Sequence, residues 1–78
     1  LSSRGLWRLC TAIQKTQLEP GDLVFRRNAL GVIRHVGVYV GNGEVIEAKG
    51  RDDGVVRRGV NASGSGYWTD CGRLDCLK

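Results

Sequence analysis

A chain of 78 residues supports at most one small domain, because a short chain buries a smaller share of its surface than a long one. Its hydrophobic content of 41% and charged content of 26% lie near globular averages, which excludes wholesale disorder, and no apolar run is long enough to span a bilayer. The formal charge of +4 comes mainly from arginines, among them Arg26, Arg27, Arg34, Arg57 and Arg58, but seven acidic residues from Asp22 to Asp75 interrupt them. That pattern is a solvated basic surface rather than a nucleic-acid stripe, and other polyanions would be drawn to it.

The first predicted element is a helix over about residues 4–15. Ser2 and Ser3 can cap it, and Leu6, Leu9, Cys10 and Ile13 follow the i, i+3, i+4, i+7 spacing of an apolar stripe. Pro20-Gly21 breaks the chain. Beyond it the pattern changes to short β runs at about 23–25, 35–40, 44–48 and 55–60, each bounded by glycine or asparagine. Residues 61–66 read as a flexible loop, and Tyr67-Trp68 opens a final segment with a further strand around 73–77. One helix followed by antiparallel strands is an α+β arrangement filling residues 1–78 as a single unit.

The strands at 35–40 and 44–48 form a hairpin whose register can be argued. A two-residue Asn42-Gly43 turn pairs Val40 with Val45 and Val38 with Glu47, putting a carboxylate among the valines. A three-residue Gly41-Asn42-Gly43 loop instead pairs Val40 with Glu44, Val38 with Ile46 and Val36 with Ala48, and keeps one face mainly apolar. Because side chains alternate between faces, the second register gathers His35, Gly37, Tyr39, Val45 and Glu47 on the other face. His35 then lies diagonally across from Glu47, with open space expected at Gly37. A carboxylate in that place accepts one ring N–H, fixes the tautomer and leaves the other nitrogen to take a proton. Such pairs also serve purely structural ends, so the pairing alone does not assign a role.

The order of motifs is more specific. Pro20-Gly21-Asp22-Leu23-Val24-Phe25, then His35-Val36-Gly37-Val38-Tyr39-Val40-Gly41-Asn42-Gly43, then Val45-Ile46-Glu47-Ala48, resembles the NlpC/P60 family of bacterial and phage peptidoglycan endopeptidases. The likeness continues through Gly54-Val55-Val56-Arg57 and weakly to Gly72-Arg73-Leu74. It implies a partial papain-like domain: an antiparallel sheet carrying the histidine, and a helix carrying a nucleophilic cysteine. On this resemblance His35 takes the place of the catalytic histidine and Glu47 that of the polar residue orienting it, while Gly21 and Asp22 shape the start of the first strand. The implied substrate is the peptidoglycan stem peptide, with no metal or organic cofactor. The implied setting is secreted, wall-associated or phage-borne.

One departure from the family pattern bears on mechanism. The family's Asp-Cys-Ser-Gly-like nucleophile motif, which precedes the Pro-Gly-Asp strand, does not occur here. Cys10 is expected mid-helix on the apolar stripe, where burial disfavours the thiolate. Cys71 and Cys76 follow the histidine instead of preceding it, and the three cysteines form neither a paired zinc motif nor an even disulfide framework. Since Leu1 is not Met, a piece of a longer or processed chain is the expectation. The chain then carries the base half of a cysteine peptidase and is inactive alone, with self-association through the uncovered sheet. The alternative is a module that binds peptidoglycan or an anionic polymer without cutting it, and a small basic β domain with a structural histidine is the blandest outcome.

Overall fold

The structure, a computed structural model, describes residues 2–77, so the two terminal residues of the expected 1–78 unit lie outside the described residues. A short helix, α1 (Ser3–Arg8), is followed by strands β1 (Cys10–Ile13), β2 (Leu23–Arg27), β3 (Ile33–Gly41), β4 (Glu44–Gly50), β5 (Gly54–Gly59) and β6 (Asp70–Leu74). They form one sheet in the order β1-β6-β2-β3-β4-β5, with every neighbouring pair antiparallel. Among the described residues no helix is long and apolar enough to cross a membrane.

The helix expected over 4–15 is the main correction at this level. Ser2 caps it, accepting from the Gly5 N–H at 3.0 Å, but it ends at Arg8, and residues 10–13 become an edge strand paired with β6. Cys-Thr-Ala-Ile satisfies both a helical and an alternating pattern, and periodicity cannot separate the two over so short a run. The available edge of β6 decides it by supplying hydrogen-bond partners. The supposed stripe is thereby split: Leu6 packs beside Leu23, Phe25 and Ile33, Ile13 packs on the other side of the sheet, and Leu9 is exposed. Cys10 lies on the edge strand rather than mid-helix.

The sheet therefore has two covered faces. On the first, α1 lays Leu6 and Trp7 over Leu23, Phe25 and Ile33, with Trp7 meeting Phe25 edge to face at 5.0 Å. This cover stops short of the β4–β5 end, where Val38 and Val55 remain exposed. On the second face, the connection from β5 to β6 crosses the sheet. It runs through tight turns, with the Ala62 N–H on the Gly59 carbonyl and the Gly64 N–H on the Asn61 carbonyl, and it sets Trp68 against Val24, Val45 and Cys71. The uncovered face expected from the sequence is thus occupied, on the His35 side, by the chain's own crossover.

The hairpin reaches the anticipated facing by another route. Gly37 pairs with Glu47, Val38 with Ile46 and Tyr39 with Val45, but Glu44 pairs with Gly41 instead of Val40. The turn is the two-residue Asn42-Gly43 form, with φ of 53° and 73°, the positive values that a tight hairpin turn demands at both positions. A bulge at Val40 absorbs the extra residue and restores the alternation. The Tyr39 hydroxyl accepts from the Gly43 N–H at 2.9 Å and so fastens the turn.

The first turn of the sheet is held by Asp22, which is 2% exposed. Its Oδ2 accepts from the Glu19 N–H at 2.8 Å, and its two oxygens accept from Arg73 Nε at 2.8 Å and Nη2 at 2.7 Å. One carboxylate thus ties the Glu19–Asp22 turn to β6. These charged hydrogen bonds hold the Asp22 carboxyl below its ordinary range.

Candidate functional site

His35 stands in β3 and Glu47 in β4, on the face covered by the crossover. Their diagonal placement closes to a contact of 2.8 Å between His35 Nε2 and Glu47 Oε1. The Glu47 side chain is 1% exposed and that of His35 is 30% exposed, so the carboxylate is sealed beneath a ring that still reaches solvent.

Glu47 has a second partner, since Arg58 Nε donates to its Oε2 at 3.0 Å. Arg58 comes from β5, directly opposite Val45, and so projects to the same face. Burial by itself would raise the Glu47 carboxyl, but hydrogen bonds from His35 and Arg58, together with the Arg58 charge, outweigh it and hold the group below its usual value. An ionised carboxylate only accepts, so the Nε2 of His35 must be the donor. In the neutral ring the lone pair is then on Nδ1. The arrangement fixes the tautomer and leaves Nδ1 as the unprotonated nitrogen.

Trp68 completes the setting. Its ring stacks on that of His35, with centroids 5.6 Å apart and planes 17° apart, and it is itself braced edge to face by Tyr67 at 5.1 Å. The open space expected beside Gly37 is filled by this indole. A β-carbon at Gly37 would lie 3.2 Å from Trp68 Cη2, 3.3 Å from the Ile46 carbonyl oxygen and 3.3 Å from Val24 Cγ2. Gly37 is therefore what allows Trp68 to settle beside His35. Replacing Gly37 with alanine should cost about 1–3 kcal/mol by overpacking, read as a lowered urea midpoint with unchanged slope, and should shift the His35 ring resonances.

Of the residues singled out from sequence, the structure brings His35 and Glu47 into contact and puts Asp22 in a buried turn with Arg73 as its partner. It does not bring a cysteine to His35. Cys10 faces the α1 side, and burial raises its thiol, with Asp75 adding to the rise. Cys71 is buried on the His35 face, but its β6 lies two strands from β3, roughly 10 Å across the sheet, and burial raises its thiol as well. All three cysteines are free. Among the described residues no group of three or more His, Cys, Asp and Glu side chains is placed to hold a metal ion.

Two contributors were not singled out in sequence. In the sequence Arg58 reads as part of a basic surface, although the alternation of 55–60 against 44–48 puts it opposite Val45. Trp68 carried no local signal, because it reaches His35 only after the chain has crossed the sheet.

A probable endopeptidase p60 of Listeria monocytogenes is 46% identical over 65 residues, which cover 82% of this chain and 13% of that protein. The murein DD-endopeptidase MepH of Escherichia coli is 51% identical over 37 residues, covering 46% of this chain and 14% of that protein. The chain therefore spans about an eighth of the length of the p60 relatives it matches. Among solved structures, an NlpC/P60 family protein from Bacillus cereus superposes with a TM-score of 0.82 at 26% identity, covering 94% of this chain and 25% of that one. The NlpC/P60 family pattern itself matches residues 2–73, and the chain belongs to the NlpC/P60 family.

Proposed function

We propose that this chain supplies the base of a peptidoglycan endopeptidase of the cysteine type, with His35 as general base and Glu47 as the residue that positions it. The observation that carries the reading is the 2.8 Å bond from His35 Nε2 to a carboxylate that is itself locked by Arg58. A base must have its proton-accepting nitrogen free and its orientation fixed, and here Nδ1 is that nitrogen. The name of the Escherichia coli relative, a murein DD-endopeptidase, supports the substrate class, and that of the Listeria monocytogenes relative supports endopeptidase chemistry.

In this reading a thiol docked at Nδ1 gives up its proton to the ring, and the thiolate attacks the amide carbonyl of a stem peptide. The imidazolium, held by Glu47, returns the proton to the departing amine. A helix presenting that thiol would complete a papain-like pair with the sheet. None of Cys10, Cys71 and Cys76 is assigned the part, since two are raised by burial and the third, Cys76, follows β6, which β2 separates from β3. The 78-residue chain by itself should release no new amino groups from purified peptidoglycan. Release abolished both by His35→Ala and by thiol blocking would overturn this and give the role to one of the three.

Glu47→Gln provides the sharper test. The amide oxygen would turn to the charged Arg58, which leaves the amide NH2 facing Nε2. His35 would then have to accept at Nε2 and carry its proton on Nδ1, the wrong tautomer for a base. Ring nitrogen resonances of the neutral imidazole should show an unprotonated Nδ1 in the native chain and a protonated one in Glu47→Gln. Once a thiol is supplied, turnover should fall on the order of a thousandfold or more. Identical nitrogen spectra for the two proteins would remove Glu47 from the mechanism.

A further inference from the structure

Four arginines of the chain are half-buried: Arg26, Arg27, Arg58 and Arg73. Three of them are matched to carboxylates, Arg27 to Asp70 at 2.8 Å, Arg58 to Glu47 at 3.0 Å and Arg73 to Asp22 at 2.7 Å. Arg26 has no such partner among the described residues. Its one hydrogen bond runs from Nη1 to the Tyr67 carbonyl oxygen at 2.6 Å, and its Cζ lies 4.3 Å from the centre of the Tyr67 ring.

The place of this guanidinium matters as much as its lack of a counter-ion. Arg26 is directly opposite His35 in the β2–β3 pairing, so both side chains leave the same face of the sheet as neighbours. Tyr67 beneath Arg26 packs on Trp68, which in turn stacks on His35. A rigid aromatic floor therefore holds the charge beside the base. A guanidinium has five N–H donors, and the single bond to Tyr67 leaves a fork that matches a carboxylate. Desolvating an arginine without an anion is unfavourable, and the partial burial of Arg26 is best repaid by a ligand that brings one.

Resting on the reading of His35 as the base, we propose that Arg26 is a specificity-determining residue that binds a free carboxylate of the peptide substrate next to the bond presented to His35. The substrate class is an acidic peptide, and Arg26 selects it by charge and by the geometry of its donors.

The test uses soluble stem peptides released from peptidoglycan, in native form and with their carboxylates converted to amides by carbodiimide and ammonia. Binding to the 78-residue chain is followed through the Trp68 indole and His35 ring resonances. The native peptides should bind at least about tenfold more tightly than the amidated ones, the value of one charge-assisted pair. Arg26→Gln should bind both forms alike, whereas Arg51→Gln, which removes the same charge from an exposed turn, should keep the preference. Arg26→Lys should retain part of it. Equal affinity of the native chain for the two peptide forms would overturn the Arg26 assignment whatever the variants do. Persistence of the preference in Arg26→Gln would overturn it as well. Binding of neither form would overturn the peptidoglycan reading and the Arg26 assignment together.

Discussion

Trp68→Ala should be the most damaging single substitution in this chain. The indole is 4% exposed and packs on Val24, Val45 and Cys71, so truncation removes a large aromatic surface and leaves a cavity over the centre of the sheet. Such a change costs about 3–5 kcal/mol in a packed core. At roughly 0.05–0.15 kcal/mol per residue, a chain of 78 residues has about 4–12 kcal/mol in all. The variant should therefore lose roughly 15 °C or more of melting temperature and show a partly unfolded population at room temperature. Trp68→Phe, which keeps a ring in the site, should recover most of the loss.

The same substitution has a local consequence. Without the indole, His35 loses the ring stacked on it and the crossover loses its anchor on the sheet. The His35 ring resonances should then lose the ring-current shift of the stacked indole even in the fraction that remains folded. A Trp68→Ala protein as stable as the native one, by urea unfolding, would mean that the crossover does not cover this face.

Asp22→Asn should be the second largest effect, and it separates charge from shape. Oδ1 accepts from Arg73, while Oδ2 accepts from Arg73 and from the Glu19 N–H, so both oxygens face donors. Whichever becomes an amide NH2 is set against another N–H. The buried site then carries an unmade hydrogen bond as well as a lost ion pair, a loss of about 2–4 kcal/mol. Circular dichroism through a thermal scan should show the transition well below that of the native chain.

The acid limb of stability follows from the same groups. Asp22 is held below its ordinary range by the hydrogen bonds from Arg73. For Glu47 and Asp70, burial pulls upward, but hydrogen bonds outweigh it, from His35 and Arg58 in one case and from Arg27 and Thr69 in the other. Folded values below the unfolded ones mean that the unfolded chain binds more protons in acid. The stabilisation is thus fully present above the unfolded carboxylate values near pH 4 and is lost as pH falls through the folded ones. Melting temperature should be flat near neutrality and drop below about pH 4, and Asp22→Asn should flatten part of that drop.

Much of the site could be read from local order. Alternation along 35–40 and 44–48 puts His35 and Glu47 on one face, and that facing survives even though a two-residue turn and a bulge at Val40 replace the three-residue loop. Both routes satisfy the same demand, that the apolar residues share a side. The positions of Pro20-Gly21 and Asn42-Gly43 likewise mark chain reversals, because few other residues adopt the backbone angles required there. These features depend on neighbours within a few residues.

What tertiary structure alone decided lies at longer range. Cys10–Ile13 is a strand because β6, some sixty residues later, offers it an edge; no pattern within the segment contains that fact. Trp68 fills the space at Gly37, and Arg26 rests on Tyr67, because the chain crosses the sheet before returning as β6. Which side chains share a strand face follows from local order, since alternation is a property of the extended backbone. Which residue closes over that face, and which half-buried arginine lacks a carboxylate among the described residues, were settled by packing between segments whose meeting only the folded chain reveals.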